Sequence, residues 1–202
     1  MDKKELLWEL KEEGIKKDII EVIDRVDRKD FVPKELAEQA YYNVPLAIGA
    51  GQTISQPYTV AYMLQYLELE KGDKVLEIGT GSGWNAALMA ELVGNKGKVY
   101  TIEIIKELAE SARKKLKKYK NVQVTLGTGA KGLRSHAPYD KIILTAAPEK
   151  IDEEFKKQLK IGGVLLAPVG KQGQTQRLIK ILRTNTCFIE EDLGEFVFVP
   201  LV

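Results

Sequence analysis

Cysteine and histidine are nearly missing from this chain of 202 residues: there is one of each, Cys187 and His136. A lone cysteine excludes an intramolecular disulfide, and a lone histidine excludes histidine-rich metal clusters, so no metal site is expected. Cys187, in the run Thr186 to Ile189, is expected to pack as a small buried hydrophobe. His136, in the Leu133 to Pro138 loop, is expected to be an exposed bystander. An excess of one charge is lacking too. Thirty-one basic residues face twenty-nine acidic ones, and a formal charge of +2 gives no electrostatic ground for a nucleic-acid or membrane partner. The charged start Met-Asp-Lys-Lys-Glu is not followed by the apolar core of a signal peptide, and no run approaches the length of a membrane span. The expectation is a cytoplasmic protein whose substrate is taken into a defined site.

With 44% hydrophobic residues the chain suits one compact domain, divisible into residues 1–56, 57–170 and 171–202. Apolar residues at helical spacing from Lys3 to Val26, interrupted at Gly14, predict two short helices. Phe31 to Ser55 carries Pro33, Pro45, Gly49 and Gly51 and reads as surface loops. A helix fits Pro57 to Leu67, with proline in its first turn and Ser55 as the candidate N-cap. Thereafter strands (Lys74 to Ile78, Lys98 to Glu103, Val122 to Leu126, Lys141 to Thr145, Val164 to Pro168) alternate with helices (Trp84 to Val93, Ile105 to Lys118, Ile151 to Leu159). Such alternation predicts an α/β fold, a doubly wound, Rossmann-like, mostly parallel sheet with helices on both faces. Arg177 to Arg183 and Phe188 to Val202 read as two further strands forming an antiparallel edge.

The segment Glu77-Ile78-Gly79-Thr80-Gly81-Ser82-Gly83-Trp84 runs from a strand through three glycines into a helix. Glycines let a ligand approach the main chain closely. Glu103, twenty residues past Gly83 at the end of the next strand, is placed to accept hydrogen bonds from ribose hydroxyls. The pair specifies a nucleoside. The glycine order is not the G-x-G-x-x-G of dinucleotide sites, and Glu77 stands two residues before the first glycine. This arrangement resembles the first motif of class I methyltransferases, whose S-adenosylmethionine brings an ammonium and a sulfonium in place of a pyrophosphate.

Upstream, Ile48-Gly49-Ala50-Gly51-Gln52-Thr53-Ile54-Ser55-Gln56-Pro57-Tyr58 resembles the signature loop of protein-L-isoaspartate O-methyltransferases. The resemblance extends through Asp27 to Pro33, Ala137 to Asp140, Leu144 to Pro148, Gly162-Gly163, Pro168 to Gly170 and Phe198 to Val202. It implies transfer of a methyl group from S-adenosyl-L-methionine to the α-carboxylate of L-isoaspartyl residues, leaving S-adenosyl-L-homocysteine. The ester then closes to a succinimide that hydrolyses partly back to aspartate. The partners implied are isoaspartyl proteins and peptides, met by a monomer. Residues 1–56 would then hold helices and the substrate loop, and 57–170 the cofactor-binding core.

By motif position the resemblance makes Ser55 the catalytic residue and places Gln52, Thr53, Ile54, Ser55 and Tyr58 beside the cofactor. It adds Glu77, Gly79, Thr80, Gly81, Gly83, Glu103, Ile104, Thr128, Gly129, Thr145 and Ala146 to the cofactor site. Thr53, Ile54, Ser55, Pro168, Val169 and Gly170 would meet the substrate. A carboxylate of pKa roughly 4 is already ionised at neutral pH, so no general base is needed. Positioning should dominate, with Ser55 a hydrogen-bonding positioner and not a nucleophile, since the motif supplies no partner base. Trp84 is expected in the core or the pocket wall.

Three departures from the family pattern stand out. Gly127-Thr128-Gly129 replaces the usual Gly-Asp-Gly, which would weaken cofactor binding by about 1 to 2 kcal/mol if uncompensated. Tyr58 stands where histidine is common. The chain stops at Val202, without the C-terminal extension that closes over the cofactor in relatives. They leave two alternatives, a carboxylate methyltransferase with another peptide substrate and a cofactor-binding protein with lapsed activity.

Overall fold

The computed structural model describes residues 1–201. Two helices open the chain, α1 (Lys3–Glu12) and α2 (Lys17–Arg25). At the start of α1 the Asp2 carboxylate accepts from the amides of Lys4 and Glu5, while Glu5 accepts from the amide of Asp2. Such a reciprocal cap stabilises a helix by about 1 kcal/mol. Helix α2 buries Ile19, Val22 and Ile23, the one-sided spacing of an amphipathic helix.

The stretch expected to be loops contains more order than its prolines suggested. It holds two 3₁₀ turns, Arg28–Asp30 and Lys34–Gln39, and a small hairpin of β1 (Leu46–Gly49) and β2 (Gln52–Ile54). Helix α3 (Pro57–Leu67) follows, but its N-cap is Gln56, with no side-chain capping bond, so Ser55 does not cap it. The serine stands one residue too early.

The main sheet has the order β5-β4-β3-β6-β7-β8-β9. Strands β3 (Lys74–Ile78), β4 (Lys98–Glu103), β5 (Val122–Leu126), β6 (Tyr139–Leu144) and β7 (Leu159–Val169) run parallel. Strands β8 (Gln176–Arg183) and β9 (Phe188–Phe196) add the antiparallel edge. The first three parallel strands keep the expected bounds, whereas β6 and β7 begin earlier than their densest apolar runs. Helices α4 (Trp84–Val93), α5 (Lys106–Lys115) and α6 (Glu153–Gln158) connect them.

Alternate residues of the buried strands feed two cores. Val75, Val99, Ile143, Val164 and Leu166 pack with α1 to α4, and Leu76, Ile78, Ile102, Ile142, Leu144 and Leu165 pack with Phe155 of α6. The chain leaves β3 toward β4 and β5 and returns to β6 on its other side, so the strand order reverses at β3. Ligands in open α/β sheets bind in the crevice outside the carboxyl ends of the strands at such a reversal.

Two expectations about single residues are corrected. Cys187 is exposed, in the turn between β8 and β9, where its amide and carbonyl bond the Thr184 hydroxyl. His136 is no bystander: its ring stacks on Tyr100 at 4.2 Å and 18°. Among the described residues, no helix is long and apolar enough to cross a membrane.

Candidate functional site

A cleft of about 960 Å³, its open mouth included, lies at the carboxyl ends of β3, β4 and β6, near the upper end of the range usual for small-ligand sites. Glu77, Ile78, Gly79, Thr80, Gly81 and Ser82 form one wall, running from the end of β3 through the glycine turn. Ile102, Glu103, Ile104 and Ile105, at the end of β4, form the second. Gly129, Thr145 and Ala146 close the third side, and Gln52, Thr53, Ile54 and Ser55 of β2 and its exit stand at the mouth. Above the turn, the Ile48 side chain of β1 is placed where a Cβ on Gly81 would come within 3.6 Å of it.

Glu103 is 6% exposed and ties the crevice together. Its two carboxylate oxygens accept from the amides of Gly81 (2.9 Å) and Ile105 (3.0 Å). Each oxygen has further acceptor capacity, so the group can take hydroxyl donors from the cleft.

Glu77 is wholly buried. The Asn85 amide donates to it at 2.8 Å and the Thr101 hydroxyl at 2.5 Å, with Thr80 Oγ1 a further 2.6 Å from Thr101. Desolvation outweighs these bonds and pushes its pKa up to about 7. The raised value means that the fold favours the protonated acid. This contribution is fully present below the unfolded pKa near 4.5 and is lost as pH rises toward 7. Glu77→Gln cannot ionise, so its unfolding free energy should gain on that of the parent by up to about 3 kcal/mol between pH 5 and pH 8. Urea titrations at the two pH values check this. A constant difference would mean that Glu77 is not protonated in the free cleft.

Several residues assigned to the site by motif position lie elsewhere. Gly83 is a packing glycine: a Cβ there would meet Leu116 at 3.1 Å, so its bareness lets α4 start against the end of α5. Thr128 is exposed, and its hydroxyl accepts from the Ala130 amide within its own turn. Tyr58 is absent from the cleft lining; it stands one helical turn from Tyr62, which packs on Phe196 and donates to Leu193 O of β9. Pro168, Val169 and Gly170, expected to meet the substrate, are absent from the cleft lining; the first two pair with Leu178 and Arg177 of β8, and the Gly170 amide bonds Pro148 O.

Other lining residues carry no expectation from the sequence, notably Asn85 and the segment Phe198 to Leu201. A signal for Asn85 does exist, since it is the second residue of the helix that leaves the glycine turn. The C-terminal segment turns back from β9 and bridges Ala147 to Pro200, with Ala147 N donating to Val199 O at 2.8 Å and Leu201 N to Ala147 O at 2.9 Å. Trp84 also lines the cleft, 1% exposed, its indole N–H donating to Val26 O at 3.0 Å.

A crevice at the reversal of a parallel sheet, a Glu-x-Gly-x-Gly-x-Gly turn and an acid closing the next strand define a class I S-adenosylmethionine-dependent methyltransferase. The sequence model of the protein-L-isoaspartate(D-aspartate) O-methyltransferase (PCMT) family matches residues 1–202. The protein-L-isoaspartate O-methyltransferase of Ignicoccus hospitalis is 52% identical over 99% of this chain and 97% of its own length. That of Methanothermobacter thermautotrophicus is 45% identical over 100% and 95%. Among solved structures, a protein-L-isoaspartate O-methyltransferase superposes with a TM-score of 0.89 at 28% identity, over 98% of this chain and 65% of that longer one. A Plasmodium falciparum protein assigned to the same enzyme, in complex with S-adenosyl-L-homocysteine, superposes with a TM-score of 0.88 at 26% identity, over 100% and 99%. This chain belongs to the protein-L-isoaspartate(D-aspartate) O-methyltransferase family.

Proposed function

We propose that this protein methylates the α-carboxylate of L-isoaspartyl residues in damaged proteins and peptides, opening their repair through a succinimide. The observation that carries the reading is the full-length family match, joined to a crevice whose mouth is formed by Gln52 to Ser55. Bound S-adenosyl-L-methionine supplies an electrophilic methyl group; the new bond is to a carboxylate oxygen, and the carbon–sulfur bond breaks with its electron pair left on sulfur.

The residues of the cleft fit that cofactor. Glu103 has acceptor capacity for ribose hydroxyls, and the exposed Ile104 beside it gives a flat base an apolar surface. Glu77, held by Asn85 and Thr101, offers a carboxylate to the cationic amino-acid end, and a cation close to it draws its pKa back down. Gly79, Gly81 and Gly129 line the cleft with bare main chain, Gly79 and Gly129 because a Cβ on them would strike Thr145 and Ile78 behind the wall. Thr80, Thr145 and Ala146 complete the pocket.

In our reading Ser55 and the adjoining Thr53 and Ile54 orient the acceptor carboxylate toward the cleft, and Ser55 contributes a hydrogen bond, not a nucleophile. The carboxylate arrives already ionised, so alignment supplies the catalysis. We further read the chain as a cytoplasmic monomer, and as one without nucleic-acid or membrane partners, the last supported by its near balance of charge.

Radiolabelled methyl transfer to an isoaspartyl peptide, compared with its aspartyl twin, tests the function. Labelling of the first at least tenfold above the second is expected. Equal labelling of the two would sink the repair assignment.

A further inference from the structure

Arg28 follows α2 in the first 3₁₀ turn and is 2% exposed. Its Nη1 donates to Ala40 O at 2.8 Å and Tyr42 O at 3.2 Å. Its Nη2 donates to Val44 O at 3.0 Å, Ile54 O at 3.4 Å and Ser55 O at 3.0 Å. The guanidinium also lies 5.6 Å from the centre of the Trp84 ring. Among the described residues no carboxylate pairs with it, and Nε has no partner.

A buried cation facing only carbonyl oxygens is an expensive way to fill space, since an apolar side chain of the same volume avoids the desolvation cost. What it provides is a rigid planar fork that gathers backbone oxygens in a fixed arrangement, which a lysine ammonium cannot reproduce. Those oxygens come from two places, the 40–44 segment leading into the hairpin and the exit of β2 at Ile54 and Ser55. The ring beneath belongs to the first residue of α4, directly after the glycine turn. Arg28 therefore joins the acceptor loop to the cofactor wall without touching the cleft, being absent from its lining.

We propose that Arg28 is a positioning residue for methyl transfer: by gathering the carbonyls of residues 40–44 and 54–55 over Trp84, it fixes the Ser55 loop against the glycine turn. The inference rests on the reading of that loop as the acceptor site. Displacement of the loop by a fraction of an ångström misaligns acceptor and donor, to which rate is highly sensitive, yet leaves the β3 and β4 walls intact.

The test compares R28K, and R28M as an uncharged variant of similar bulk should R28K not fold, with the parent at a temperature where circular dichroism shows each folded. The expected result is a loss of tenfold or more in kcat/KM for the isoaspartyl peptide, carried by a lower kcat and a raised peptide KM. S-adenosyl-L-homocysteine affinity by calorimetry should stay within threefold. A double-mutant cycle with Ser55→Ala should show the two losses to be non-additive, because one acts through the other. Retention of peptide kcat/KM within threefold, additive losses, or a matching loss of homocysteine-analogue affinity would each overturn the proposal. If Ser55→Ala alone leaves peptide kinetics unchanged, the acceptor-loop reading has failed, a result distinguishable from failure of Arg28 alone.

Discussion

Glu103→Ala should bind S-adenosyl-L-homocysteine about 3 to 4 kcal/mol more weakly, a loss of roughly two to three orders of magnitude. The carboxylate carries two tasks at once. It accepts from the part-buried amides of Gly81 and Ile105, and it presents its remaining acceptor sites to the cleft. Alanine removes the hydroxyl acceptor and also takes from two part-buried amides their bonds to a charged acceptor, each worth about 1.5 to 3 kcal/mol. The variant should therefore melt at a lower temperature as well as bind poorly, a refinement of the view that Glu103 serves only ribose. Glu103→Gln, which keeps one acceptor oxygen, should fall between the two. Titration calorimetry decides: unchanged affinity in Glu103→Ala would mean that the sugar does not sit at the end of β4.

Gly79→Val is expected to cost at least about 4 kcal/mol of stability and to abolish cofactor binding. Gly79 has a φ of +94°, a backbone conformation closed to a β-branched residue without severe strain. A Cβ there would also lie 2.4 Å from Thr145 Oγ1. That hydroxyl donates to the Gly79 and Ile78 carbonyls at 2.7 and 3.0 Å, so rotating it away gives up these bonds beneath the turn. For a chain of this size, about 4 kcal/mol lowers the melting temperature by roughly 8 to 16 °C. Calorimetric melting with and without S-adenosyl-L-homocysteine measures both effects. A ligand-induced rise in melting temperature equal to that of the parent would show that the turn tolerates a side chain.

The contrast between Glu103 and Tyr58 shows what is legible in the sequence. Glu103 lies at the end of a short buried strand, and strand period plus loop length are enough to set its height on the sheet. The same local logic locates Glu77, Gly79 and Gly81. Tyr58 sits on a helix, where a direction of approach depends on how the whole element is rolled, and α3 sets the neighbouring Tyr62 against Phe196 and Leu193 of β9 while Tyr58 stays out of the cleft lining. Ser55 as an N-cap fails by a single residue, the kind of detail that local geometry settles and composition does not. Arg28 is invisible for a different reason: its partners are main-chain oxygens, which every residue possesses and no sequence pattern marks. Phe198 to Leu201 belong to the family resemblance, but a return across the sheet edge has no periodicity from which its destination can be read.

That return has a consequence for biosynthesis. The crevice is roofed by the hairpin near residue 50 and walled by the segment bridging Ala147 through Pro200, so its parts are separated by about 150 positions along the polypeptide. Contacts of such separation carry a larger loop-closure entropy than the pairing of neighbouring strands. A nascent chain released only as far as β9 holds the sheet and the glycine turn but lacks one side of the chamber. The wall contributed by residues 198–201 is thus synthesised after the whole sheet and the glycine turn that it completes.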